Sequence, residues 1–329
     1  MVSVLSYTTN AVFPLLLLTV IGVALRRTGF AEASFFKKCD ALTFHVLIPA
    51  MLFYNIYSIK GLGDIRWDGV LYCFAALTVL ILLSFLLLPL IRRRDQKGVL
   101  IQCAFRSNFA IIGVPVARAL GGADSVAFAA VVSGFSIPIY NAVAVSLLTC
   151  YAGERKPGAR SMLRAVIKNP LIRAVAAGLC VLVFRHFVPA SSFFVENNLS
   201  FITNTLRFLS DAATPLALIS LGAGFDFGAV RRLLPQISLG VTARLILSPL
   251  IGVGGALLCD AAGLTHIGAV GLPAVIALFA TPVAVSSAVM VSEIGGDAQL
   301  ARQLVVWTST LSVLTLFVII FFLRYFHFL

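Results

Sequence analysis

Acidic side chains are scarce in this chain. Only 13 Asp and Glu stand against 25 Lys and Arg in 329 residues, for a formal charge of +12. Charged residues of both signs make up 12% of the sequence and hydrophobic ones 60%, against about 25% and about 45–50% in soluble domains. Histidine is rare too, and His45, His186, His266 and His327 are too scattered to suggest a metal site. The zinc-protease pattern H-E-x-x-H, the G-x-S-x-G nucleophile turn and the phosphate loop G-x-x-x-x-G-K-[ST] are all missing. That argues against these hydrolases and against a chain carrying its own ATP motor, so no enzyme, cofactor or metal is expected. The six cysteines (Cys39, Cys73, Cys103, Cys150, Cys180, Cys259) fall within apolar stretches at no metal-ligand spacing. Free cysteine there behaves as a small buried hydrophobe, so neither a disulfide framework nor a zinc site is expected. Long polar stretches are missing as well. The longest basic loop, 153–164, is too short for a second domain, and no appended soluble domain marks a sensor.

What the chain has is apolar length. Its mean hydropathy is +1.02, and several runs reach the ~20 residues that cross a ~30 Å hydrocarbon core. Ten segments are predicted to span: 8–25, 36–59, 69–91, 99–120, 125–151, 165–187, 199–225, 236–259, 268–292 and 298–325. The first has no positive residue before it and Arg26 and Arg27 after it, unlike a cleaved signal peptide. Alternate loops separate the charge. Sixteen bases (among them Arg26, Lys37, Arg92, Arg155, Arg231 and Arg302) fall on one side, and Lys60, Arg66, Arg118, Arg185 and Arg324 on the other. The positive-inside rule puts the sixteen in the cytoplasm and both termini outside. This placement in loops, rather than on an amphipathic face, also argues against nucleic acid as the partner of so basic a chain. The expected location is the cell (inner) membrane, with the lipid bilayer as a partner.

Two spans are interrupted. The fourth contains F-R-S-N-F-A-I-I-G-V-P at 105–115, and the ninth contains Pro273 and then A-T-P-V at 280–283. Backbone freed by such a break survives at membrane depth only when buried in protein or lining a wet cavity. Paired breaks in corresponding places of two halves point to a transporter's binding site. Pro49 in the second span answers Pro215 in the seventh. Each half holds five spans, an odd number, so the second half enters the membrane the other way up. The fold class is therefore an all-α integral membrane protein of ten transmembrane helices, a 5+5 inverted repeat with broken helices 4 and 9. Its units are a first repeat at 1–151, a linker at 152–164 and a second repeat at 165–329.

With these pieces assembled, the chain resembles the auxin efflux carrier family, which includes plant PIN carriers and bacterial permeases for anions such as malonate or malate. The resemblance runs over nearly the whole chain. It is carried by the 105–115 stretch, N-P-L-I at 169–172, L-S-D-A-A-T-P-L-A-L-I-S-L-G at 209–222, T-P-V-A at 281–284 and S-E-I-G-G-D at 292–297. It implies a scaffold part and a transport part, with the fourth and ninth helices unwound and crossing at mid-membrane. The family's crossover asparagine falls on Asn108, seven residues before Pro115, and the ninth-helix crossover proline on Pro282. The long central hydrophilic loop of plant carriers is absent, which favours the bacterial permease branch. A dimer through the scaffold helices is a further implication.

The candidate substrate-binding residues are Arg106, Ser107, Asn108, Gly113, Pro115, Asn141, Thr281 and Pro282. The second half of a broken helix presents unpaired N–H groups and a partial positive charge, a ready anion site. Asn108 adds amide donors, Ser107 and Thr281 hydroxyls; alternatively Asn108 serves only the carbonyls freed by the break. Arg106 lies seven residues into its span, about 10 Å deep. It either pairs a substrate carboxylate bidentately, or snorkels to the cytoplasmic interface or pairs with a structural acid. His45 and Asp211 each precede a proline by four residues, making them candidates for coupling to protons. Asp211 also sits one turn from Arg207, where an i,i+4 ion pair is the simpler expectation, and His45 is more simply a packing residue. Arg173 and Arg244 read as interface anchors, Glu293 and Asp297 as solvated, and 321–329 as an aromatic membrane anchor. The function expected is secondary transport of a small organic anion, a mono- or dicarboxylate, by alternating access with its site at the crossover. A proton or sodium ion is the candidate coupling partner. A sodium-coupled carrier like the bile-acid symporters and a membrane sensor on a transporter fold are the alternatives.

Overall fold

The computed structural model describes residues 2–57, 67–152, 160, 164, 167–187 and 200–329, without the side chains of 2–12 and 185–187. Most of the expected linker at 152–164 lies outside the described residues, as do Lys60, Arg66, Arg155 and Lys156. Among the described residues the architecture is helical, and the only β-type pairing is one isolated bridge. Helices fit this composition because a helix satisfies its backbone within itself where water cannot.

In chain order the helices are α1 (Val2–Arg27), α2 (Ala33–Leu42), α3 (Ile48–Tyr57), α4 (Trp67–Ser84), α5 (Arg94–Phe105) and α6 (Val114–Tyr151). They continue with α7 (Pro170–Phe187), α8 (Ser200–Ala223), α9 (Phe227–Thr242), α10 (Gly255–Ala261), α11 (Gly268–Phe279), α12 (Ser286–Ile294) and α13 (Ala298–Tyr325). The turn Thr43–Leu47 joins α2 to α3 in wider π-helical form, so 33–57 runs as one rod. Five helical stretches are long and apolar enough to cross a membrane: Ala33–Tyr57, Trp67–Leu90, Phe109–Tyr151, Phe227–Ala261 and Ala298–Tyr325. Pro170–Phe184 and Gly268–Phe279 are shorter apolar helices. The stretch Phe109–Tyr151 turns at Gly122, whose φ of 65° and ψ of −150° no helix contains. Glycine meets no Cβ penalty there. The sequence places a boundary between its fourth and fifth segments at the same point.

Burial is arranged as a membrane demands. Leu71, Leu86, Phe184, Leu258 and Leu314 are exposed, while Gln102, Arg106, Asn141, Arg244 and Thr308 are buried. Lipid, rather than water, is the medium that accepts such a surface. Packing does not follow the chain halves. α1 packs on α8, and α3 on α7 and α8, whereas α6 packs on α5 and α11, and α13 on α9, α12 and also α1. Asp40 of α2 knits three helices. Its carboxylate accepts from Ser220 of α8 at 2.5 Å and from Arg302 of α13 at 3.2 Å.

Two glycines set the closest helix approach. A Cβ at Gly22 of α1 would lie 2.0 Å from the Ile219 carbonyl oxygen, and one at Gly222 of α8 would lie 1.9 Å from that of Thr19. Small residues let membrane helices approach to backbone contact in this way. Gly22→Val is therefore expected to destabilise the protein by about 1–3 kcal/mol, the usual cost of overpacking. Gly254→Ala meets nothing nearer than 3.8 Å and should leave the thermal midpoint in detergent unchanged. Equal midpoints for the two variants would contradict this packing.

Candidate functional site

The two broken segments meet. Helix α5 stops at Phe105, and the chain runs extended through Arg106 to Asn108 before a π-helical turn, Phe109–Gly113, leads into α6. Helix α11 stops at Phe279, and α12 starts at Ser286. Pro273 does not interrupt α11 as the sequence suggested; the break is confined to the residues between Phe279 and Ser286. The extended pieces pair antiparallel through a Ser107–Val283 bridge. The Asn108 amide donates to the Pro282 carbonyl at 2.8 Å, and the Ala284 amide to the Arg106 carbonyl at 3.2 Å. Each break thus satisfies part of the backbone freed by the other.

The four helix ends at this crossing are treated differently. The ends of α5 and α11 present carbonyl oxygens, and Arg244, 0% exposed, takes three of them. Its Nε donates to Thr281 O at 2.7 Å, one terminal nitrogen to Ala104 O at 3.2 Å and the other to Leu278 O at 2.9 Å. Ser248, just beyond the π-helical stretch Ala243–Leu247 that carries Arg244, donates to Phe279 O at 2.8 Å. One guanidinium charge balances two helix C-termini of roughly −0.5 each. The two helix starts, at Asn108 and Val285, have no side-chain cap.

Beside those starts lies a cavity of about 40 Å³, lined by Arg106, Ser107, Asn108, Tyr140, Asn141 and Ser286 among others. Arg106 is 1% exposed. Its terminal nitrogens donate to Asn141 Oδ1 at 2.8 Å, Ser286 Oγ at 2.9 Å, Ser287 Oγ at 3.2 Å and Met290 Sδ at 2.6 Å. Asn141 is oriented by its own amide, which donates to Ile137 O at 2.8 Å. Among the described residues no acidic side chain lines the cavity. Three buried polar atoms there have no partner: Arg106 Nε, Ser107 Oγ and Asn108 Nδ2. Buried polar groups are nearly always paired, and an unpaired one costs about 1–3 kcal/mol. Together with roughly +0.5 from each helix start, the arrangement presents donors and positive charge to whatever occupies the cavity.

Of the residues singled out from sequence, Arg106, Ser107, Asn108 and Asn141 therefore share one cavity. Gly113, Pro115, Thr281 and Pro282 do not line it. A Cβ on Gly113 would lie 2.9 Å from Ala277 O, so this glycine lets the two broken segments approach. The Thr281 hydroxyl, just past the end of α11, donates back to Ala277 O of that helix at 2.8 Å. His45 and Asp211 are exposed and do not line the cavity, and His45 Nδ1 lies 3.0 Å from Ala41 O. Three expectations are corrected. Arg207 and Asp211 form no ion pair; Arg207 instead lies over the Phe208 ring. Asp297 is not freely solvated, because it caps α13 through the Leu300 amide and accepts from Gln96 at 2.9 Å. Arg244 is no interface anchor but the buried cation at the crossing. Its depth in the sequence, eight residues into its span against seven for Arg106, was the available signal. Ser286, Asn55 and Thr214, which also line the cavity, had no such signal.

Arg244→Lys keeps the charge but supplies no fork of donors. It should lower stability by about 2 kcal/mol or more, as charged hydrogen bonds are lost, whereas Arg324→Lys at the exposed end of α13 should not. Thermal unfolding in detergent reads both, and an unaffected Arg244→Lys would contradict the role given to the fork.

Comparison with known proteins places the chain in a family. The family described as membrane transport protein matches residues 7–320. An uncharacterized transporter of Methanothermobacter thermautotrophicus is 26% identical over 253 residues, 75% of this chain and 77% of its own. An uncharacterized transporter of Methanocaldococcus jannaschii is 26% identical over 234 residues, 68% of this chain and 70% of its own.

Proposed function

Because the chain belongs to the membrane transport protein family, the auxin efflux carrier family, we propose that it is a secondary transporter for a small organic anion. In this reading ten transmembrane helices form two inverted halves, 1–151 and 165–329. The crossing of the broken segments is the substrate site, and the basic loops face the cytoplasm with both termini outside. One observation carries the proposal: Arg106 is fully buried, lines a cavity and has no acidic partner among the described residues. A buried cation is costly unless paired, and a substrate carboxylate would supply the missing charge. Asn108 Nδ2 and Ser107 Oγ, also unpartnered, would complete its hydrogen bonds. Alternating access would then move the crossing relative to α3 and α8, the helices that close the cavity's other side.

A sodium-coupled mechanism at the crossing is less well supported. The carbonyls a sodium ion would use already accept from Arg244, whose charge opposes a second cation nearby. Neither His45 nor Asp211 reaches the cavity, so proton coupling has no support from those two residues.

The test is uptake of radiolabelled small carboxylates into proteoliposomes, with imposed proton or sodium gradients. Losing a charge-assisted hydrogen bond costs about 1.5–3 kcal/mol, so Arg106→Gln and Asn108→Ala should reduce saturable uptake by about tenfold or more. Thermal unfolding would establish that both variants are folded. Wild-type rates in two folded variants would place the substrate elsewhere.

A further inference from the structure

We propose that the crossover cavity selects a monocarboxylate with a short neutral tail, and that Asn55 and Thr214 set this selection. The inference rests on the anion-carrier reading above and narrows it. It comes from the unequal walls of the cavity. On the crossing side stand the Arg106 guanidinium, the unpartnered Asn108 Nδ2 and Ser107 Oγ, and the two uncapped helix starts. A carboxylate accepts through two oxygens with about four lone-pair directions, which these donors can fill. The opposite wall is neutral. Met51, Leu52 and Asn55 of α3 and Ala213, Thr214 and Ala217 of α8 line it, and among the described residues no Lys, Arg or His does.

The second buried cation is not available to this wall. All three guanidinium nitrogens of Arg244 are committed to carbonyls, and the residue does not line the cavity. A dicarboxylate would set its first carboxylate on Arg106 and press its second against methionine, leucine and alanine side chains. A charge desolvated without a partner is strongly penalised. A hydroxyl or carbonyl on the tail meets no such penalty, because the Asn55 amide and the Thr214 hydroxyl can hydrogen-bond it. Size agrees. The cavity of about 40 Å³ corresponds to three or four water-sized positions at about 10–15 Å³ each, which is the scale of roughly a two- to four-carbon acid.

The experiment measures uptake of radiolabelled acetate, propionate, lactate, malonate and succinate into proteoliposomes. Wild-type protein is compared with Asn55→Lys and Thr214→Lys, and the same acids are tested for thermal stabilisation of the purified protein. Wild type should take up at least one monocarboxylate at least tenfold more efficiently than malonate or succinate. Each lysine puts a cation on the neutral wall and should move that ratio at least tenfold toward the dicarboxylates. Placing the lysine on two different helices guards against one variant failing to fold, and the wild-type ratio decides the selectivity even if both fail. Preference of the wild type for malonate or succinate would overturn this inference and leave the anion-carrier reading standing. Neither transport of nor stabilisation by any of the five acids would overturn that reading itself. A wild-type preference for monocarboxylates that survives in both folded lysine variants would overturn the role given to Asn55 and Thr214.

Discussion

A helix that ends inside a buried interior leaves backbone groups that no water reaches. This chain contains two such endings, and much of its interior is built to satisfy them. The breaks share their amides and carbonyls across a short antiparallel bridge. Arg244 and Ser248, from the neighbouring rod, take four carbonyls at and just beyond the ends of α5 and α11. Around this crossing the helices depart from regular geometry. Ala243–Leu247 and Phe109–Gly113 are π-helical, as is Leu250–Gly254, where a Cβ on Gly252 would fall 2.0 Å from the Phe279 ring. Such wide turns commonly mark functional sites.

The charge balance at the crossing is what gives it chemistry. Negative helix ends and a cation cancel on one side. On the other, positive helix ends and a second cation add, with no acid to offset them. The scarcity of acidic residues in the composition has its local counterpart here. In water such a surplus would be screened; in a buried cavity it attracts an anion strongly. A transporter also benefits from a site that is incomplete when empty, because occupancy then changes which conformation is stable.

The cavity draws its walls from helices that pack in different groups. Arg106 to Asn108 and Ser286 come from the crossing, while Asn55 and Thr214 come from α3 and α8. The buried contact among Asp40, Ser220 and Arg302 likewise joins α13 to α2 and α8. Motion of one group against the other would alter both places at once, which gives a physical route between occupancy of the site and the closure of the protein around it.

The amino-acid sequence alone determined that the chain is helical, that it lives in lipid and, Pro273 apart, where the two spans are interrupted. Each of these depends on local chemistry: apolar run length, the bias of Lys and Arg between loops, and prolines and glycines inside apolar runs. It also pointed to Arg106, Ser107 and Asn108, because polar residues beside a break announce themselves. What tertiary structure decided is which residues face one another. Arg244 and Arg106 lie at similar depths in their spans, yet one seals carbonyls and the other faces a cavity, and only the packing of 236–259 against the crossing separates those fates. His45 and Asp211 share a spacing to proline with each other, but that spacing does not say which face of the helix they occupy, and both are exposed and outside the cavity's lining. Asn55 and Thr214 meet across a cavity from positions far apart in the chain, a proximity that no local pattern encodes.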